Sequence, residues 1–247
     1  MSAMKRLVRL GLSAGLVGGM TGLFFLGPTP GSAAPACVPS ADVHYDPHPG
    51  ATIVQTSFEQ GTLDRFIPAA SGTGTVTLSS DQRRSGGCSA HLHVTADSGS
   101  LANMSSPALP AGTKDVYADG WFNVTTAGQF HNDVPYFRFF NGPVRVMDVL
   151  RDNIDGQMWL RIAAPDNTFN YTRLGRVAGL GAWHHLVLHA VANGPNSTVD
   201  VWFDDQLLYS NSTLSTAART LTSVQIGAEH ARQMGDTYLD DVSITAS

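Results

Sequence analysis

An all-β sandwich or jelly roll is the fold class this sequence predicts, and three observations carry the prediction. From Ile53 onward there is no long amphipathic helical pattern. Short alternating runs recur instead between turn signals: Thr75 to Leu78, Ala90 to Thr95, Val116 to Val124, Tyr136 to Phe140, Val144 to Leu150, Met158 to Ala163, His185 to Ala192, Thr198 to Phe203, Val224 to Ile226 and Tyr238 to Ile244. Two hairpin signals join neighbouring runs, Ala192-Asn193-Gly194-Pro195-Asn196 and Asp204-Asp205, as an antiparallel meander requires. No internal repeat or low-complexity tract divides the region.

In chain order, residues 1–36 read as an export signal. Lys5, Arg6 and Arg9 precede a glycine-broken apolar stretch from Leu10 to Leu26, and Ser32-Ala33-Ala34-Pro35-Ala36 offers small residues for cleavage. A spanning helix fits less well, because the run is short and Pro28 and Pro30 follow it. Losing the signal removes three basic groups and leaves 12 basic against 20 acidic residues, a formal net charge of −8. That balance lacks the basic footprint nucleic acid and anionic membranes require, so neither is expected as a partner; a secreted monomer is expected.

Residues 37–52 read as an extended arm and 53–247 as one jelly-roll domain. Export leaves two cysteines, Cys37 and Cys88, for which a disulfide is the default of an oxidising compartment, with an acylated Cys37 as the alternative. Phe58-Glu59-Gln60-Gly61 and Tyr238-Leu239-Asp240-Asp241-Val242-Ser243-Ile244 read as opening and closing strands. Tyr238, Val242 and Ile244 are spaced for one buried face, where a pair of carboxylates needs compensation. Either Asp240 and Asp241 lie at an exposed edge, or calcium balances them.

The central runs share a second pattern. Tyr117, Asp119, Trp121 and Asn123 alternate with Val116, Ala118, Phe122 and Val124; Tyr136 and Arg138 alternate with Phe137 and Phe139; Trp159 and Arg161 alternate with Met158, Leu160 and Ile162. One face is therefore aliphatic, and the other mixes aromatics, arginine and amides. Trp121, Asn123, Tyr136, Arg138, Trp159 and Arg161, extended by Tyr171 and Arg173, are expected to line one concave groove with flat rings for pyranose faces and fork donors for hydroxyls. The other reading is a sheet surface covered by long loops.

Trp183-His184-His185-Leu186-Val187-Leu188, followed by Val199-Asp200-Val201-Trp202-Phe203-Asp204-Asp205-Gln206-Leu207-Leu208, resembles the W-H strand and V-x-V-Y-V-D-G-x-L hairpin of concanavalin A-like, laminin G-like jelly rolls. Arg84-Ser85-Gly86-Gly87-Cys88-Ser89-Ala90-His91-Leu92 resembles a strand-opening motif of the same superfamily. Asp205 stands where that hairpin has glycine, so a longer or different turn is expected. In related glucanases and carbohydrate-binding modules a structural calcium is held by an N-terminal Glu, a nearby carbonyl and an Asp of the closing strand. The resemblance thus implies Glu59, the Gly61 carbonyl and Asp240 as calcium ligands.

Signals for catalysis are sparse. Glu59 and Glu229 are the only glutamates, and no E-x-D-x-x-E strand sets two catalytic carboxylates about 5 Å apart. A G-x-S-x-G elbow, a P-loop and a dinucleotide fingerprint are absent. His91 and His93 offer half a metal site with no Cys or Glu at ligand spacing to complete it. Secreted polysaccharide binding without turnover is the expected function. Its alternatives are β-elimination on uronate glycans by Arg138, Arg161, Tyr136, Tyr171 and His131, and adhesion to a protein. The N-x-S/T triplets at Asn103, Asn123, Asn170, Asn196 and Asn211 read as incidental.

Overall fold

The structure, a computed structural model, describes residues 37–41, 48–214 and 216–247. Residues 1–36, read from the sequence as an export signal, residues 42–47 and Ser215 lie outside that set. The described residues contain fifteen strands and no helix. They are β1 (Ala51–Thr56), β2 (Ile67–Ser71), β3 (Thr75–Ser79), β4 (Ser89–His93), β5 (Leu101–Ser105), β6 (Asp115–Ala127), β7 (Asp133–Asn141), β8 (Val144–Asp152), β9 (Gln157–Ala163), β10 (Phe169–Val177), β11 (Trp183–Val191), β12 (Ser197–Phe203), β13 (Gln206–Leu214), β14 (Ser223–Ala228) and β15 (Met234–Ala246). Each of the ten alternating runs read from the sequence overlaps one of them, with Val94, Thr95 and Ala192 just beyond the strand ends.

Two antiparallel sheets pack as a jelly-roll sandwich. The eight-stranded sheet runs β13-β12-β11-β6-β15-β4-β3, with β1 beside the far half of β15, and the seven-stranded sheet runs β10-β9-β8-β7-β14-β5-β2. Phe58 to Gly61 is a turn, and the opening strand is β1 just before it, so the domain begins ahead of Ile53. β1 pairs with the closing strand, from Ala51 opposite Ala246 to Thr56 opposite Val242.

The core lies between the inner faces. Phe122 of β6 meets Tyr136 and Phe137 of β7 edge-on, with centroids 4.5 and 5.1 Å away, contacts worth about 0.5–1.5 kcal/mol each beyond burial. Gly120 permits this approach. A Cβ there would sit 3.1 Å from Phe137 Cζ and 3.2 Å from Val242 Cγ2.

Bulges break the period of two at decisive points. In β7, Pro135 pairs with Leu150 and Arg138 with Asp148, three steps against two. Tyr136 and Phe137 therefore both enter the core. In β15, Asp240 pairs with Trp121 and Ser243 with Asp119, and Asp241 has φ +47°. Tyr238 consequently faces outward, stacked on His91, whereas Val242 and Ile244 face inward, and the single buried face expected for the three does not exist.

The β12–β13 turn is a tight two-residue hairpin with Asp204 at φ +48° and Asp205 at φ +62°. Both central residues are left-handed, as the mirror-image type I turn requires. Asp205 thus takes the place of glycine without lengthening the loop, with its carboxylate 3.1 Å from His185 Nδ1, and Asp204 beside it accepts from the His185 backbone N–H at 2.9 Å.

Candidate functional site

The sandwich separates residues that the sequence pattern groups together. Trp121 and Asn123 lie on the outer face of the eight-stranded sheet, Arg138, Trp159, Arg161 and Tyr171 on the outer face of the seven-stranded one. Tyr136 belongs to neither. It is buried in the core, and burial raises its phenol pKa. The strands β6, β7 and β9 carry the same alternation, and nothing in that alternation says which sheet a strand joins.

On the eight-stranded sheet the rings are already covered. Trp121 lies between the Arg84 guanidinium, 3.9 Å from its centroid, and the His185 ring at 4.8 Å. Tyr117 lies between His48 at 4.5 Å and His189 at 3.8 Å. Asp119 accepts from His185 Nε2 at 2.7 Å and His48 Nε2 at 2.8 Å. Burial opposes charge on Asp119, but the bonds from His185 and His48 outweigh it and hold the carboxyl below its usual range. Burial likewise opposes charge on His185, and Asp119 and then Asp205 outweigh it, so its pKa is raised. A hollow of about 420 Å³ opens here beside Arg84, Trp121 and His185, yet neither face of Trp121 is free for a sugar ring.

The seven-stranded sheet is organised differently. Cross-strand register sets Tyr171, Arg161, Asp148, Arg138 and Gln225 in one row over five adjacent strands. Arg161 grips Asp148 with two bonds, Nε to Oδ1 at 2.8 Å and Nη2 to Oδ2 at 2.5 Å, and reaches Asp133 at 3.5 Å. Burial disfavours its charge, but Asp148 and Asp133 outweigh that and raise its pKa. Arg138 is fully buried, 3.0 Å from Glu229, which also accepts from Arg145. Burial, reinforced by the charge of Arg145, pushes Arg138 down to about 9. Three arginines thus face three carboxylates, Asp133, Asp148 and Glu229.

Beside this row lies a cleft of about 380 Å³, lined by His131, Asn132, Asp133, Leu150, Asp152, Ile154, Trp159 and Tyr171. Tyr171 is 54% exposed, and Phe169, two residues back on β10, is 41% exposed. Among the described residues no ring stacks on Trp159 or Tyr171, and the Trp159 indole N–H has no hydrogen-bond partner. The Arg161 guanidinium stands 5.9 Å from the Tyr171 centroid. Of the residues expected in one groove, Trp159, Arg161 and Tyr171 share this face, with Phe169, not singled out from the sequence, two residues from Tyr171 on β10.

Of the three expected calcium ligands, Glu59 and Asp240 both accept from the loop before β4, whereas Gly61 lies in the turn after β1. Cys37 is bonded to Cys88 across 51 residues, which leaves Cys37 no thiol to acylate. Glu59, 0% exposed, accepts from Ser40 Oγ at 2.6 Å, from Gly87 N–H at 2.9 Å and from Cys88 N–H at 2.8 Å. Between these donors and Asp240 sits Gly86 (φ +53°), where a Cβ would strike the Glu59 carboxylate. Asp240, also 0% exposed, accepts from the N–H groups of Arg84, Ser85 and Asp241 at 2.8, 3.1 and 2.9 Å. Burial, then the neighbouring charge of Asp241, pushes it up to about 7. Two buried carboxylates flanking one loop, with no cationic side chain bonded to either among the described residues, suit a hard cation in donor type and charge. The backbone donors on Glu59 already supply part of what an ion would.

No protein-family model matches the sequence, and a search of curated proteins finds no match. Solved structures do match in fold. The cellulose-induced protein Cip1 superposes with a TM-score of 0.62 at 16% identity, over 78% of this chain and 97% of that one. An endo-β-1,4-glucuronan lyase from the fungus Trichoderma reesei gives 0.61 at 14% identity, over 75% and 92%. Domain 4 of AbnA, a GH43 extracellular arabinanase from Geobacillus stearothermophilus solved with arabinotriose, gives 0.56 at 16% identity, over 81% and 94%. These likenesses establish the jelly-roll sandwich.

Proposed function

We propose that this is a secreted polysaccharide-binding domain that holds a neutral glycan in the Trp159–Tyr171 cleft of the seven-stranded sheet and does not cleave it. The observation that carries the reading is the contrast between the two outer faces: Trp121 and Tyr117 are covered on both sides, while Tyr171 is exposed and lines an open cleft. The fold likeness to a glucuronan lyase, to Cip1 and to an arabinanase domain supports carbohydrate as the ligand class. The disulfide, and the reading of residues 1–36 as an export signal, support an extracellular location.

Charge favours binding of a neutral sugar over elimination from a uronate. An eliminating enzyme needs a cation free to neutralise the substrate carboxylate, whereas Arg138, Arg145 and Arg161 are each engaged by a carboxylate. The cleft itself carries Asp133 and Asp152 and no arginine. Tyr171→Ala or Trp159→Ala is expected to weaken binding to a neutral polysaccharide by about 1–3 kcal/mol with the fold unchanged. Calorimetric titration against neutral glucan, arabinan and glucuronan, with ultraviolet detection of unsaturated product, checks this. Binding to none of them ends the carbohydrate reading, and product from glucuronan replaces it with the lyase.

We also propose a structural calcium between Glu59 and Asp240, supported by their burial, their shared loop and their lack of a cationic side-chain partner.

A further inference from the structure

Away from the cleft, β4 and β15 carry a cluster that neither the core nor the proposed binding uses. His91 and His93 are two residues apart on β4 and share its outer face, and Asp236 stands directly across from His93. His91 Nε2 and His93 Nδ1 each lie 2.8 Å from the same oxygen, Oδ1 of Asp236. One nitrogen from each imidazole and the carboxylate oxygen all fall within 4.8 Å of one another. The cluster is held in place on two sides. Tyr238 stacks on His91 at 4.3 Å with the rings 5° from parallel, and Thr126 hydrogen-bonds the Asp236 carboxylate. Side-chain exposures of 19, 36 and 25% leave it open to ions and water.

We propose that His91, His93 and Asp236 form a binding site for a first-row transition-metal ion of the Zn²⁺ class, with at least one coordination position open to solvent. Two imidazole nitrogens and one carboxylate oxygen suit borderline divalent ions; Ca²⁺ and Mg²⁺ prefer all-oxygen shells. Without an ion, both imidazoles can direct an N–H at one carboxylate oxygen. Taking up the metal moves each ring proton to the other nitrogen, His91 Nδ1 or His93 Nε2, and no hydrogen bond to either is found among the described residues, so the tautomers are free to change. The same lack of outer partners makes the site weaker than a catalytic zinc centre, where each ligand imidazole is usually held from behind. The third ligand was out of reach of the sequence pattern, because Asp236 lies 143 residues beyond His93.

The test is calorimetric titration of Zn²⁺, and separately Ca²⁺, into the exported protein after chelator treatment, with thermal melts of the same samples. One equivalent of Zn²⁺ is expected to bind and raise the Tm. His93→Ala and Asp236→Asn are each expected to weaken that binding by about 100-fold or more, while His189→Ala, in a separate imidazole cluster, leaves it unchanged. Cu²⁺ in place of Zn²⁺ should show two coordinating nitrogens by electron paramagnetic resonance, and one or none in His93→Ala. If His93→Ala melts abnormally before metal is added, His93→Gln takes its place with the same readout. No Zn²⁺ uptake at millimolar concentration, uptake indifferent to both ligand substitutions, or displacement of Zn²⁺ by equimolar Ca²⁺ would each overturn the assignment.

Discussion

Asp119 holds two imidazoles at once, and the sign of each shift fixes how stability responds to pH. The His185 pKa is raised above its reference of 6.5, so its contribution is complete below that value and is lost as pH climbs through the folded pKa. The Asp119 pKa is lowered below 3.8, so its contribution is present above that value and is lost only as pH falls through the folded pKa. The pair is therefore strongest at mildly acidic pH. Wild-type stability should decline by about 1 kcal/mol once pH rises past the folded His185 value, and His185→Gln should remove that decline. Urea midpoints at a series of pH values check this, and an unchanged slope in the variant contradicts it. Tyr171 and Trp121 make the companion point: both are aromatic residues on outward faces, but only the first keeps a face that a ligand can reach.

Single strands and turns show what can and cannot be read from a sequence. Strands with one apolar face, such as β6, β9, β11 and β12, were legible because period two survives along them. β2 is exposed along its whole length and β10 nearly so, and neither carries an apolar period to find. Tyr136 and Tyr238 were assigned to the wrong faces because a bulge adds one residue and inverts every side chain beyond it. The grouping of Trp121 with Arg138 failed for another reason: sheet membership depends on pairings between distant segments, which local alternation does not encode. At the β12–β13 hairpin the two aspartates should behave differently. Asp205→Gly relieves a left-handed residue whose side chain is largely in solvent and should gain about 0.5–1 kcal/mol. Asp204→Gly gives up the bond to the His185 N–H and should lose about 1 kcal/mol. Shifts of the urea midpoint in opposite directions at constant m-value would bear this out.

At the scale of the whole molecule, the stretch from Arg84 to Cys88 ties together the segment before β1, the turn after it and the closing strand, through Cys37, Glu59 and Asp240. If calcium completes this junction, strong chelation should lower stability by about 2.7 kcal/mol at a hundredfold excess of ion over its Kd, because the ion binds only the folded chain. An unchanged Tm in chelator, with no calcium by elemental analysis, would remove the ion and leave the backbone donors as the compensation. The β1–β15 pairing reaches further than stability. With Ala51 opposite Ala246, the first strand of the sandwich starts beside the end of the last, and both belong to the sheet that does not carry the cleft. The unit therefore has the geometry of a cassette. It can be spliced into a longer polypeptide, or displayed on a carrier, through one doorway, with the Trp159–Tyr171 cleft on the opposite sheet from the join.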